Sequence, residues 1–237
     1  MKKIYLLAII LLAFSVYMGC IKDDYTFNCG ETFIDPMDGQ NYNTVLIGDQ
    51  CWMAENLNVG TMIENSENMS NDGIIEKYCF KNNPSNCDKY GGLYQWNEMM
   101  KYTSIAGARG ICPDRWHLPS DDEWMILEGT VDSQYPVGSI WGSSFYRGYD
   151  VGVKLKSING WISDGRGTND FLFTAIASGI LTKYGDFKGL GQVTYFWTSS
   201  NSRIDNAWHR ALSYDHDNVY RRYYSKGAGL SVRCLRD

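Results

Sequence analysis

The sequence predicts one α+β domain, with a few helices around twisted antiparallel sheet, stapled by disulfides. Three observations predict it. Tyrosine, tryptophan and glycine are plentiful, at 17, 8 and 24 of 237 residues, and such a composition favours sheet and long ordered loops over helix. Short β-rich runs outnumber segments of helical period. The chain has seven cysteines, and setting one aside leaves six that can close three bridges in an oxidising compartment.

The first element is a leader. Lys2 and Lys3 precede an almost continuously apolar run from Ile4 to Val16. That run is shorter than the roughly 20 residues a membrane span needs, and it has the length and flanks of a signal-peptide core. Gly19 and Cys20 follow. The pattern resembles the lipobox of bacterial lipoproteins, in which a signal (here residues 1–19) is removed and the cysteine is acylated; Tyr17 and Met18 depart from its usual Leu-small pair. Cys20 is thus the expected lipidation site, and lipid accounts for the odd cysteine. One acyl chain binds a membrane only marginally, so a durable anchor takes several. Residues 20–30 read as a polar, lipidated tether. Lys22, Asp23 and Asp24 either form a charged spacer or, as they resemble the export signal of some Bacteroidetes-type lipoproteins, direct the anchor to the outer face. The expected location is the outer membrane, surface-exposed, with the membrane met through the anchor. Loss of Lys2 and Lys3 deepens a formal net charge already at −5. That balance argues against nucleic acid, which selects a basic stripe.

Residues 31–237 form the domain. Tyr42 to Ile47 is β-rich, Gly48-Asp49 suits a two-residue turn with glycine first, and Cys51, Trp52 and Met53 return antiparallel. Residues 58–77 are polar and irregular, a long surface loop. Residues 90–96 read as a strand entering a short helix near 97–101. The clearest helix start is Leu118-Pro119-Ser120, where Ser120 and Glu123 have capping-box spacing. Asp121 and Asp122 favour the positive end of that helix dipole, and Trp124, Leu127 and Val131 recur at helical spacing. Residues 171–176 and 193–198 read as strands. Residues 207–214, 219–224 and 230–236 read as a closing meander, with Leu230, Val232 and Cys234 on one face of its last strand and Ser231 and Arg233 on the other.

Several segments together resemble the Fibrobacter succinogenes major paralogous domain (FISUMP) family. They are Asp35-Pro-Met-Asp-Gly-Gln40, Ile47-Gly-Asp-Gln-Cys-Trp-Met-Ala-Glu-Asn-Leu57, Cys87-Asp-Lys-Tyr-Gly-Gly-Leu-Tyr94, Cys112-Pro-Asp-Arg-Trp-His-Leu-Pro-Ser-Asp-Asp-Glu-Trp124, Lys154-Leu-Lys-Ser157, Gly167-Thr-Asn-Asp170 and Leu230-Ser-Val-Arg-Cys234. Leu230 stands where many members have an aromatic residue, and residues 143–148 read as an insertion. The resemblance implies a C-type-lectin-like layout, similar to the domain of formylglycine-generating enzymes. Cys79 and Cys87 flank a short loop that can join them. Cys112 precedes the capped helix and Cys234 lies on the last strand, a bridge that a C-type-lectin-like layout also implies. Cys29 with Cys51 completes the expected pairing, one of 15 connectivities open to six cysteines.

No catalytic residue is expected. Formylglycine-generating enzymes use a reactive cysteine pair close to the C-terminus, whereas here Cys234 alone follows Cys112. His117, His209 and His216 lie in no nucleophile motif, and His117 reads as structural. Zinc is disfavoured because no C-x-x-C occurs. Calcium wants six to eight oxygens, which Asp164, Asn169, Asp170, Asp205, Asn206, Asp215, Asp217 and Asn218 would supply only if their loops converged. Asx residues in loops usually make turns, so the expectation is no cofactor. What remains is a non-catalytic binding or adhesion module, its partner a glycan or a surface protein, with a structural subunit of a surface assembly as the alternative. Trp208, Arg210, Tyr214, Asn218 and Arg221, in the closing meander, are the expected ligand-binding residues. They combine flat apolar surface with directed hydrogen bonds.

Overall fold

The computed structural model describes residues 27–165 and 167–237; the leader, Cys20 and the tether up to residue 26 lie outside these. Strand β1 (Thr32–Ile34) pairs with β2 (Asn41–Ile47), which turns into β3 (Gln50–Met53) as the sequence predicts. Gly48 makes that turn at φ +61, a left-handed conformation that glycine adopts without steric cost. A Cβ there would also stand 3.1 Å from the Thr130 methyl.

The region 58–77 is more ordered than expected, since β4 (Thr61–Ile63) pairs in parallel with β5 (Glu76–Tyr78). Pro84 then occupies the first turn of α1 (Pro84–Tyr90), where its missing N–H costs nothing, and the Asn83 side chain caps the Ser85 N–H at 3.1 Å. Residues 90–96 are not a strand. Tyr90 ends α1, Leu93 and Tyr94 make only isolated bridges to Tyr78 and Leu230, and α2 (Trp96–Met99) follows at once. Both bridges are long-range, so no local pattern announces them.

After β6 (Trp116–His117), helix α3 (Asp121–Val131) starts as predicted. Ser120 Oγ accepts from the Glu123 N–H at 3.2 Å, and Glu123 Oε2 accepts from the Ser120 N–H at 2.7 Å. Trp124, Leu127 and Val131 are buried against the sheets. Then come β7 (Phe145–Arg147), α4 (Val151–Leu155), β8 (Ser178–Leu181), β9 (Phe187–Leu190), β10 (Val193–Arg203), β11 (Asn206–Ser213), β12 (Val219–Ser225) and β13 (Leu235–Arg236). The 143–148 stretch that reads as an insertion thus supplies the edge strand β7.

Two larger sheets result beside the β4–β5 pair. The first has the order β1-β2-β3-β13-β6, and the second β7-β12-β11-β10-β8-β9, antiparallel throughout except where β10 meets β8. The fold is therefore α+β, with four short α-helices among the described residues. Between the sheets and α3, the rings of Trp52, Trp124, Phe173 and Phe196 pack with centroids 4.9 to 6.1 Å apart.

Two further expected strands are corrected. Residues 171–176 form none: Leu172 and Thr174 sit at φ +55 and +54, and only Ala175 bridges, to Lys156. The cause lies far along the chain. Arg233 is fully buried and donates to the carbonyls of Phe173, Thr174 and Met53 and to Asn56 Oδ1, so these loop carbonyls answer a cation instead of a ladder. Burial lowers the Arg233 pKa to about 9. Its guanidinium lies 4.3 Å over the Phe173 ring, where the cation meets the ring's negative face.

The second correction concerns residues 230–236. These do not extend the meander, and they have no solvent face, because every residue from 230 to 235 is buried. The segment runs between the sheets. Gly229 exchanges bonds with Leu181, Leu230 with Tyr94, and Ser231 bonds Tyr195 and Trp197. The Leu57 N–H then donates to Val232 and the Met53 N–H to Cys234. Only Leu235 and Arg236 form a strand, flanked by β3 and β6. The meander's third strand is instead β10.

All six cysteines are bridged in the expected pairs, Cys29–Cys51, Cys79–Cys87 and Cys112–Cys234, with Cα separations of 5.8, 5.0 and 5.9 Å.

Candidate functional site

Strand alternation divides the residues of the β10–β11–β12 meander between two faces. Register places Tyr195 beside Ala211, Ala211 beside Tyr220 and Tyr220 beside Tyr146; one row away, Trp197 is beside His209 and His209 beside Arg222. These rows share the face turned away from α3. The opposite face carries Trp208, Arg210 and Arg221 and packs on that helix.

The helix-packed face holds a buried ion network. Arg210 donates to Glu128 Oε1 and, at 2.6 Å, to Asp121 Oδ1, while Arg147 donates to the other Glu128 oxygen. Arg221 donates to Asp121 Oδ2 at 2.5 Å and lies 3.7 Å over the Trp208 ring. Burial alone would raise the Asp121 pKa, but hydrogen bonds and charge from Arg221 and Arg210 outweigh it and hold the carboxyl below its usual value. Asp121 is thus more than a dipole partner of α3.

This arrangement corrects the expected ligand set. Arg210 has no exposed surface and Arg221 only 6%, and both donate inward, so neither presents its charge to a surface ligand. Asn218, half-buried, lies against α4, where its carbonyl would be 2.3 Å from a Cβ at Gly152. Of the expected residues, Tyr214 alone lines the groove on the other face.

That groove is the candidate site. It is open, has a volume of about 990 Å³, and is lined by Tyr146, Tyr184, Tyr195, Tyr214, Tyr220, Tyr223 and Tyr224, with Gln192, Asn206, His209, Lys183, Lys188 and Arg222 between them. Several of these rings are in contact. Tyr146 stacks flat on His216 at 3.8 Å, Tyr146 and Tyr220 are 4.8 Å apart, and His209 lies 5.4 and 5.6 Å from Tyr195 and Tyr224. Tyr184 stands on the β8–β9 turn with 80% of its surface exposed. At the floor His209 is buried, and neither ring nitrogen makes a hydrogen bond of good geometry, the Arg222 backbone being the nearest polar group acting on the ring. Burial, then the charge of Arg210, depresses its pKa to about 3, with the Arg222 backbone opposing. It is therefore a neutral imidazole near pH 7, with one donor and one acceptor. Burial likewise raises the Tyr195 pKa to about 12, so that phenol keeps its proton. Sequence reading reached the right strands and missed this side chain set, because the two faces of a strand differ only in parity. A signal was present: Asp121, Trp124 and Glu128 fall on one face of α3, and buried acids require cations from the strand that covers them.

The other histidines are accounted for. His117 bonds Glu123 Oε1 through Nε2 at 3.0 Å and Asp237 Oδ1 through Nδ1 at 2.7 Å. Its pKa is raised, chiefly by the Glu123 hydrogen bond, with burial opposing and Asp237 reinforcing. The protonated form thus stabilises the fold. That contribution is complete below the unfolded value near 6.5 and is lost as pH rises through the higher folded value. We expect His117→Gln to lower the melting temperature at pH 6 and to melt with the parent at pH 9. Equal deficits at both values would show packing loss instead. His216 bonds Asp215, which Ser213 also contacts. Among the described residues no group of three or more His, Cys, Asp or Glu side chains could hold a metal ion, and the Asx loops considered for calcium form no such cluster.

No curated protein and no solved structure matches the chain. The Fibrobacter succinogenes major domain family model matches residues 45–236. That span takes in the helix cap, the Cys112–Cys234 bridge and all three strands of the tyrosine-lined meander, and the chain belongs to this family.

Proposed function

We propose that the protein is an exported, lipid-anchored surface protein whose domain binds a saccharide chain in the tyrosine groove without catalysing a reaction. The observation that carries the reading is the convergence of six tyrosines, Tyr146, Tyr184, Tyr195, Tyr214, Tyr220 and Tyr224, on one open groove, with Tyr223 at its edge turned to Trp208. Tyrosine rings offer flat apolar faces to the C–H faces of sugars, and their hydroxyls, with Gln192 and Asn206, offer directed bonds to sugar hydroxyls. Among the described residues the groove's lining contains no Asp or Glu, whereas glycoside hydrolysis generally uses a pair of them; this supports binding over cleavage. The C-type-lectin-like layout is part of the proposal, supported by the bridge from Cys112, in the turn before β6, to Cys234, next to the last strand β13. Three disulfides fit an oxidising compartment and support export, and the Cys20 anchor is tested by detergent partition of the Cys20→Ser chain, whose unchanged membrane association would refute it.

The groove is tested with the detergent-solubilised full chain on a glycan array, beside Tyr220→Ala and Tyr224→Ala variants of unchanged melting temperature. Stacking is worth about 0.5–1.5 kcal/mol per ring beyond area burial, so each variant should lose at least several-fold in affinity. Saccharide binding that both variants retain in full would place the site elsewhere. Capture of a surface protein alone, with no saccharide bound, would favour the adhesion or assembly alternative.

A further inference from the structure

The groove's charge is opposite in sign to that of the chain. Its lining contains Lys183, Lys188 and Arg222 and no carboxylate, in a chain of net charge −5. The acids nearby are mostly engaged elsewhere. Asp186 faces Lys188 at 3.8 Å, with both side chains well exposed, and Asp215 is held by Ser213 and His216 at the far end. Asp205, at the β10–β11 turn, acts on Lys226. Lys183 and Arg222 have aromatic neighbours in place of ion-pair partners. Lys183 Nζ is 5.0 Å above the Tyr184 ring, and the Arg222 guanidinium is 4.7 Å over Phe145 and 5.5 Å over Tyr223.

The two cations bracket the aromatic floor. Arg222 and Tyr224 are two residues apart on β12 and so share a face, while Lys183 lies close enough to Tyr224 for its charge to act on that phenol. Between them, the buried His209 ring underlies the groove floor as a neutral imidazole. Aromatic platforms and two cations without ion-pair partners among the described residues are together a design for a sugar ring that carries negative charge.

We propose that the ligand of this groove is an anionic saccharide, its charge a carboxylate or a sulfate. The proposal rests on the saccharide reading above, and its test separates the two. The intact chain in detergent is titrated calorimetrically with hexasaccharides of four kinds: galacturonate (carboxylate), carrageenan-type (sulfate), and the neutral maltose and cellulose series. At least one acidic oligomer should bind about tenfold or more tighter than either neutral one, since a hydrogen bond to a charged group is worth about 1.5–3 kcal/mol. That preference should shrink as ionic strength rises from about 0.05 to about 0.5 M, because partly exposed charges are screened. Lys183→Ala and Arg222→Ala should each weaken acidic binding about tenfold and weaken neutral binding by a smaller factor, so that the acidic-over-neutral preference falls. Asp186→Asn, which frees Lys188, should strengthen it, a gain that misfolding cannot imitate. Neutral oligomers binding as tightly as acidic ones, independent of salt, would overturn the charge assignment and leave the groove reading in place. If none of the four binds, both readings fall.

Discussion

Replacing Glu128 by alanine is expected to cost about 3–5 kcal/mol, the scale for removing one partner of a buried ion pair. At 2–4 °C per kcal/mol for a domain of this size, the melting temperature should fall by roughly 6–20 °C. Glu128 is fully buried, and each of its oxygens accepts from a different guanidinium, Arg147 and Arg210. Without it, three arginines would have Asp121 as their nearest carboxylate, and Asp121 already serves Arg210 and Arg221. Arg147 would be left charged inside the protein. Burial already lowers its pKa to about 10, even with Glu128 opposing the shift. Calorimetry on Glu128→Ala checks this, and a melting temperature within about 2 °C of the parent would mean the network contributes little. A stronger form follows from the desolvation argument. Replacing Glu128, Arg147 and Arg210 together with apolar side chains of similar volume should recover most of the loss, because no charge is then stranded.

The second large effect is on the longest disulfide loop. Removing Cys112–Cys234, by serine at both positions, is expected to cost about 4–5 kcal/mol in the chain-entropy model, because the bridge closes a separation of 122 residues. The same model assigns roughly 2–3 kcal/mol to Cys79–Cys87, whose separation is 8. Denaturant titration of the two double-serine chains compares them directly. If the short loop proves as costly as the long one, loop closure in the unfolded chain is not what these bridges contribute.

The parts legible in the sequence are those written within a few residues. The Gly48 turn and the Ser120–Glu123 cap depend on neighbours two or three positions apart, and both stand where sequence places them. The elements it misplaced have distant causes. Residues 171–176 have β-forming side chains, yet Arg233, about 60 residues later, takes their carbonyls. Alternation in residues 230–235 suggests one wet face, but a strand pressed between two layers has none. At the candidate site the meander was legible and its working face was not. Trp208, Arg210 and Arg221 look like recognition residues on composition, and nothing local separates them from the tyrosines beside them. The acids of α3 decide the matter by drawing the arginines inward, which leaves Tyr195, Tyr220 and Tyr224 on the other face.

The lacing of residues 229–235 through both sheets bears on the order in which the chain can assemble. Leu181, Tyr94, Tyr195, Leu57 and Met53 all find backbone partners in this one stretch, and β13 joins β3 to β6, so the first sheet cannot close, nor the two sheets be tied together, before this stretch has left the ribosome. Until then Cys112 must remain an unclaimed thiol, while Cys79 and Cys87, eight residues apart, can join almost as soon as both appear. Premature capture of Cys112 by an earlier cysteine is therefore the characteristic error open to this chain. Such a mispairing can be undone only by thiol exchange, so timely folding calls for a disulfide isomerase as well as an oxidant.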